Sequence, residues 1–224
     1  MISTQPEPEQ TLKREHAAAQ GTLKRIAASL DILHRKLVDI ARDVYPLQWA
    51  AFRPQLSTLA SWVGYDLDGR SDIDWSDSLS FRLNEKAAQL QMYADALDVI
   101  LDKGEASKPV TTRIKKLRDR LARAGESARA EAEAFSADLS DPAALSAAAN
   151  RLTDKDSNRM VETKDVREEL HELIIAEESP AVRTELIVVH AAVASRGLGT
   201  GHVHVRINAV QVHNALRAHL GWTG

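Results

Sequence analysis

Two long apolar seams separated by a polar break constrain this chain more than any other feature. From about Ser76 to Leu101, apolar residues recur at Leu83, Ala87, Leu90, Ala94, Leu97 and Leu101. From about Val110 to Ala137 they recur at Val110, Ile114, Leu117, Leu121, Ala124 and Ala128. Steps of three and four residues place each set on one stripe of an α-helix. Between the seams, Gly104 suits a helix C-terminus and Pro109 suits a first helical turn. Two helices of similar length joined by a short polar turn bury their stripes against each other. The expectation is an antiparallel hairpin over about 76–137.

The rest of the chain reads as further helices. From Thr11 to Val44 an unbroken seam runs through Leu23, Ile26, Leu30, Leu33, Leu37, Ile40 and Val44, expected to pack inward, and Pro46 closes it. Leu47–Val63, with Trp49, Phe52 and Trp62, is expected to form one or two short helices. Asp141 and Pro142 are a cap and first turn for a short helix to Ala149. Arg159–Glu177 places Val166, Leu170, Leu173 and Ile174 inward, Ser179-Pro180 breaks the pattern, and Ala181–Ser195 is apolar on more than one face. The fold class is therefore mainly α: long antiparallel helices with a short C-terminal strand. Residues 1–10, polar and carrying two prolines, are expected to be a disordered lead-in to a single helical domain over 11–224.

Composition excludes several function classes. A formal net charge of −3 gives no electrostatic reason for an obligate nucleic-acid partner. The basic run Arg113, Lys115, Lys116, Arg118, Arg120 and Arg123 is followed by Glu126, Glu131 and Glu133, with no aromatic residues between for base stacking, so it reads as a solvated helix face. No run of about 18 apolar residues exists to span a membrane. With no cysteine there is no disulfide and no thiolate chemistry, which suits a cytoplasmic location.

Two stretches carry chemistry. The first is Ser-Trp-Val-Gly-Tyr-Asp-Leu-Asp-Gly-Arg, Ser61–Arg70. Gly64 and Gly69 bracket two aspartates, Asp66 and Asp68, in a polar turn between apolar segments. Glycine supplies positive φ and aspartate bonds its own backbone, so a plain structural turn explains the pattern. The alternative is that both carboxylates are presented to a metal, an arginine or a substrate. A calcium loop is excluded: counting from Asp66, Arg70 and Ser71 fall where an oxygen ligand and a glycine belong.

The second is His202–Asn208, where alternation replaces the helical period. Period two sets Val203, Val205 and Ile207 on one face and His202, His204 and Arg206 on the other. Arg206 can grip a carboxylate or phosphate with two parallel N–H groups. The histidines are equally explained as exposed residues of an edge strand. As a His-x-His metal pair they need a third ligand, and no spacing singles out His213, His190 or His171. With the helices on either side, the stretch is expected to form an α-β-α element over about 181–220.

Both stretches resemble the phosphoenolpyruvate carboxylase family. Ser61–Arg70 is similar to that family's Gly-Ser-Trp-(Ile/Met)-Gly-Gly-Asp-Arg-Asp-Gly-Asn-Pro segment, sharing Ser61, Trp62, Gly64, Asp66, Asp68 and Gly69. It departs at Tyr65, Leu67, Arg70 and Ser71. The Gly197–Asn208 stretch is similar to Gly-x-x-Leu-x-x-Leu-Asp-Ile-Arg-Gln, with Arg206 on the family's active-site arginine, His204 in place of aspartate and Ile207 in place of glutamine.

The resemblance implies an internal part of a helix-rich β/α-barrel enzyme that joins phosphoenolpyruvate and bicarbonate into oxaloacetate and phosphate with magnesium. It implies substrate binding by Arg206, His204, Asp66, Asp68 and Gly69. The family's Thr-Ala-His-Pro-Thr histidine motif and Phe-His-Gly-Arg-Gly-Gly loop are not in this sequence, so no catalysis is expected from the chain alone. The expectation is a partial or divergent relative, with a homo-oligomer or a complementing chain as partner. The alternative is a non-catalytic helical interaction or scaffold protein.

Overall fold

A computed structural model describes residues 11–68, 70–154 and 158–221, so the expected lead-in at 1–10 and Gly69 lie outside the described residues. The architecture is mainly helical. In chain order come α1 (Leu12–Val44), a 3₁₀ turn (Trp49–Ala51), β1 (Ala60–Ser61), α2 (Trp75–Asp102) and α3 (Lys108–Ala134). Then follow α4 (Pro142–Thr153), α5 (Lys164–Ala176), α6 (Pro180–Arg196), β2 (His202–Val203) and α7 (Ala209–Leu220).

The hairpin forms as its seams require. All six seam residues of α3 are buried, as are Leu83, Ala87, Leu90, Ala94 and Leu97 of α2, and Leu101 is partly buried against the same core. α5 and α6 close that core with Leu170, Leu173, Ile174, Leu186 and Ile187. α6 is buried on more than one face, which is why its apolar residues follow no single stripe. Its N-terminus is fastened by the buried Glu177 carboxylate, which accepts from the backbone N–H groups of Glu178, Ser179 and Ser107 at 2.9, 2.8 and 3.1 Å. The carboxylate thereby satisfies orphan donors at the starts of two helices. On the basic side of α3, Arg113, Arg118 and Arg120 bond Glu172, Asp98 and Glu169. No described helix is long and apolar enough to cross a membrane.

Three expectations need correction. α1 buries Leu23, Ala27, His34 and Val38 against the body, whereas Ile26, Leu33, Ile40 and Val44 of the expected inward seam are exposed. The helix carries two adjacent stripes, and its own body covers the less regular one. Leu47–Val63 forms a single 3₁₀ turn and then extended chain rather than short helices. Lastly, the strand expected over 202–208 is regular only at His202–Val203, and Val205 and Ile207 are exposed. The reason lies in its partner: Gly64 turns the chain with φ 90°, so β1 ends at Ser61 and pairing resumes only near Asp66.

Candidate functional site

β1 and β2 pair in parallel, Ala60 opposite His202 and Ser61 opposite Val203. The amides of His202, His204 and Arg206 donate to the carbonyls of Leu59, Ser61 and Tyr65 at 2.7, 2.9 and 3.0 Å. Two residues on one strand thus span four on the other between the last two bonds, and Trp62–Gly64 bulges out. This bulge delivers Asp66 opposite Arg206, where a parallel bridge forms.

Gly64 is required at the bulge. A Cβ there would stand 2.8 Å from Phe81 Cδ2, and its φ of 90° is one that L side chains rarely adopt. Its carbonyl accepts from Ser78 Oγ at 2.7 Å, pinning the bulge to α2. The far side of the turn is held by Arg70, which grips Asp72 and reaches Glu15 on α1.

Of the sequence-predicted site residues, the structure brings Asp66 and Arg206 together. Arg206 Nη1 donates to Asp66 Oδ2 at 3.2 Å, while Asp66 Oδ1 is buried and has no hydrogen-bond partner among the described residues. The Arg206 side chain is 60% exposed and that of Asp66 16%. The guanidinium therefore spends one N–H on Asp66 and turns others to solvent, where an incoming carboxylate or phosphate can take them. His202 and His204 are exposed along the same edge, and Asp68 is exposed without an ion pair among the described residues. His171 and His190 instead line a groove with Lys164 and Arg167 between α5 and α6, so neither supplies a third ligand to His202 and His204.

No group of three or more His, Asp or Glu side chains that could hold a metal occurs among the described residues. The unpaired oxygen of Asp66 is buried, and the guanidinium on its other oxygen repels a dication. Magnesium, hard and reluctant to shed water, finds no ligand set here.

Sequence reasoning missed the layer beneath the edge. Glu85 of α2, 4% exposed, accepts on Oε1 from Tyr65 Oη at 2.9 Å and Gln20 Nε2 at 2.8 Å, with His16 Nε2 at 2.9 Å. Its Oε2 accepts from Arg82 Nη1 at 3.1 Å. Arg82 also reaches the Gly201 carbonyl at 3.4 Å, and its guanidinium fills the space that a side chain at Gly199 would need. Thr200 hydrogen-bonds Gln20. His16 stacks on Phe81 with ring centroids 4.1 Å apart. One carboxylate thus ties α1, the bulge, α2 and the glycine loop before β2 into a unit. Burial, with the Glu85 charge beside it, pushes the Tyr65 hydroxyl well above its ordinary range, so it stays a donor. The only available sequence signal was the i, i+3 pair Arg82 and Glu85 and the i, i+4 pair His16 and Gln20.

The sequence matches no protein-family model, and no curated protein or solved structure is significantly similar to it.

Proposed function

We propose that this chain is a divergent relative of the phosphoenolpyruvate carboxylases whose Asp66–Arg206 corner binds a small anion of the phosphoenolpyruvate class, without turning it over alone. The observation that carries the reading is the bridge itself: two motifs that resemble one family, 140 residues apart, meet as paired backbone with their acidic and basic side chains in contact. Parallel strands joined through long helical excursions are also how a β/α barrel is built. Arg206 supplies the cationic contact, and His204 and His202 add polar groups along the same edge. Asp66 orients the guanidinium through its Oδ2, its other carboxylate oxygen being buried.

Carboxylation needs further cations around the developing enolate and phosphate. The histidine motif and glycine-rich loop that supply them in the family are missing from this sequence. Binding without turnover is the consequence, and a complementing chain would have to provide the rest. Titration calorimetry with phosphoenolpyruvate tests the reading: millimolar binding that is lost in Arg206→Gln supports it, and no heat with the unaltered protein refutes it.

A second reading, a helical interaction protein, is favoured by α7. None of its residues is buried, and Val210, Val212, Leu216 and Leu220 are all exposed. Helicity that rises with protein concentration would support that reading. A concentration-independent spectrum would count against it.

A further inference from the structure

We infer that α1 pairs with the α1 of a second copy of this chain, antiparallel, through the seam that its own body leaves open. Leu23, Ile26, Leu30, Leu33, Leu37, Ile40 and Val44 follow strict three–four alternation over three heptads. That is the 3.5-residue period of a two-stranded coiled coil, with Leu23, Leu30, Leu37 and Val44 at position a and Ile26, Leu33 and Ile40 at d. The chain's own body buries this seam only at Leu23 and half-covers Leu30 and Leu37. It packs against Ala27, His34 and Val38, and leaves Leu33 51% and Ile40 58% exposed. A row of large aliphatic side chains this regular and this exposed is the mark of an interface.

Charge selects the orientation. The e positions (Ala27, His34, Ala41) face the chain's own core and carry no opposite charge for a parallel partner. The g positions include Lys36 and Asp43, both exposed and neither ion-paired among the described residues. In an antiparallel pair g meets g, so a two-fold axis near residue 39 sets Lys36 of each copy against Asp43 of the other, twice. The same register stacks Leu37 on Ile40 and Leu33 on Val44 across the axis. It also brings Leu30 to Leu47, which is 90% exposed just beyond the helix. There the corner between α1 and the 3₁₀ turn forms an almost wholly apolar groove of about 410 Å³, lined by Leu37, Ile40, Tyr45, Trp49 and Phe52. The surface is self-complementary, as a two-fold interface must be.

Sedimentation equilibrium of the full chain over about 1–100 µM, a range that brackets micromolar association, tests this. The expected mass is twice 24.7 kDa at the upper end. Leu33→Asp with Ile40→Asp should weaken association by about 100-fold or more, as loss of central anchors does, with an unchanged circular dichroism spectrum. Lys36→Asp and Asp43→Lys should each weaken it about five- to tenfold, and the double reversal should restore it. A monomer at every concentration overturns the inference. So does a dimer indifferent to the seam variants, or a double reversal no better than the single ones.

Discussion

Asp66 and Arg206 face each other across a parallel β-bridge, joined by backbone pairing and by a 3.2 Å side-chain contact, although 140 residues separate them. The contact depends on the bulge at Trp62–Gly64 and on the polar layer under it. Each of these can be perturbed without touching the pair.

Gly64→Ala forces a methyl to within 2.8 Å of Phe81 Cδ2 at a backbone φ of 90°. Strain and overpacking together should cost about 2–4 kcal/mol of stability. Urea unfolding measures this, and a loss below about 0.5 kcal/mol, within ordinary surface-substitution range, would mean that the bulge is not held by α2.

Glu85→Ala leaves Tyr65, Gln20, His16 and Arg82 without their shared acceptor. Removing one partner of a buried charged network costs about 3–5 kcal/mol. Tyr65→Phe removes a single donor and should cost about 1 kcal/mol. In a double-mutant cycle the two losses should fall short of additivity. Strict additivity would show that Tyr65 and Glu85 act independently.

Burial lowers the His190 imidazole to about 4, helped by Arg53, His171 and Arg167, in a groove that also holds Lys164, Glu168 and Glu172. The folded state therefore takes up a proton at lower pH than the unfolded chain, whose histidine titrates near 6.5. Stability from this group is intact above 6.5 and drains away as pH falls from there toward 4. His190 is only partly buried, so screening holds the total to about 2 kcal/mol. His190→Asn should flatten that part of the stability–pH curve. An unchanged slope would assign it to other groups, His34 among them, whose buried ring is also held below its ordinary value by desolvation.

How much of this was legible in the sequence depends on how local each signal is. The α2–α3 hairpin and the inward face of α5 were readable because one apolar stripe per helix leaves one way to pack, and α6 because a helix apolar on several faces has to be central. On α1 two stripes compete, and the more regular one, Ile26 to Val44, is not the one the body covers. Alternation over His202–Asn208 correctly announced extended chain, but a strand is only as long as its partner, and the partner's length is set by Gly64, far away in sequence. The contact of Asp66 with Arg206 was anticipated only through family resemblance. The Glu85 layer was not foreseen at all: its members come from α1, the bulge and α2, and no short-range pattern joins them.

The proposed anion site rests on Arg206, oriented by Asp66. The most direct measurement is a calorimetric double-mutant cycle for phosphoenolpyruvate on the full chain with Arg206→Gln, Asp66→Asn and both. Loss of a charge-assisted contact of about 1.5–3 kcal/mol predicts binding at least tenfold weaker in Arg206→Gln, a smaller loss in Asp66→Asn, and no further loss in the double variant. Equal affinity in the unaltered protein and in Arg206→Gln would contradict it.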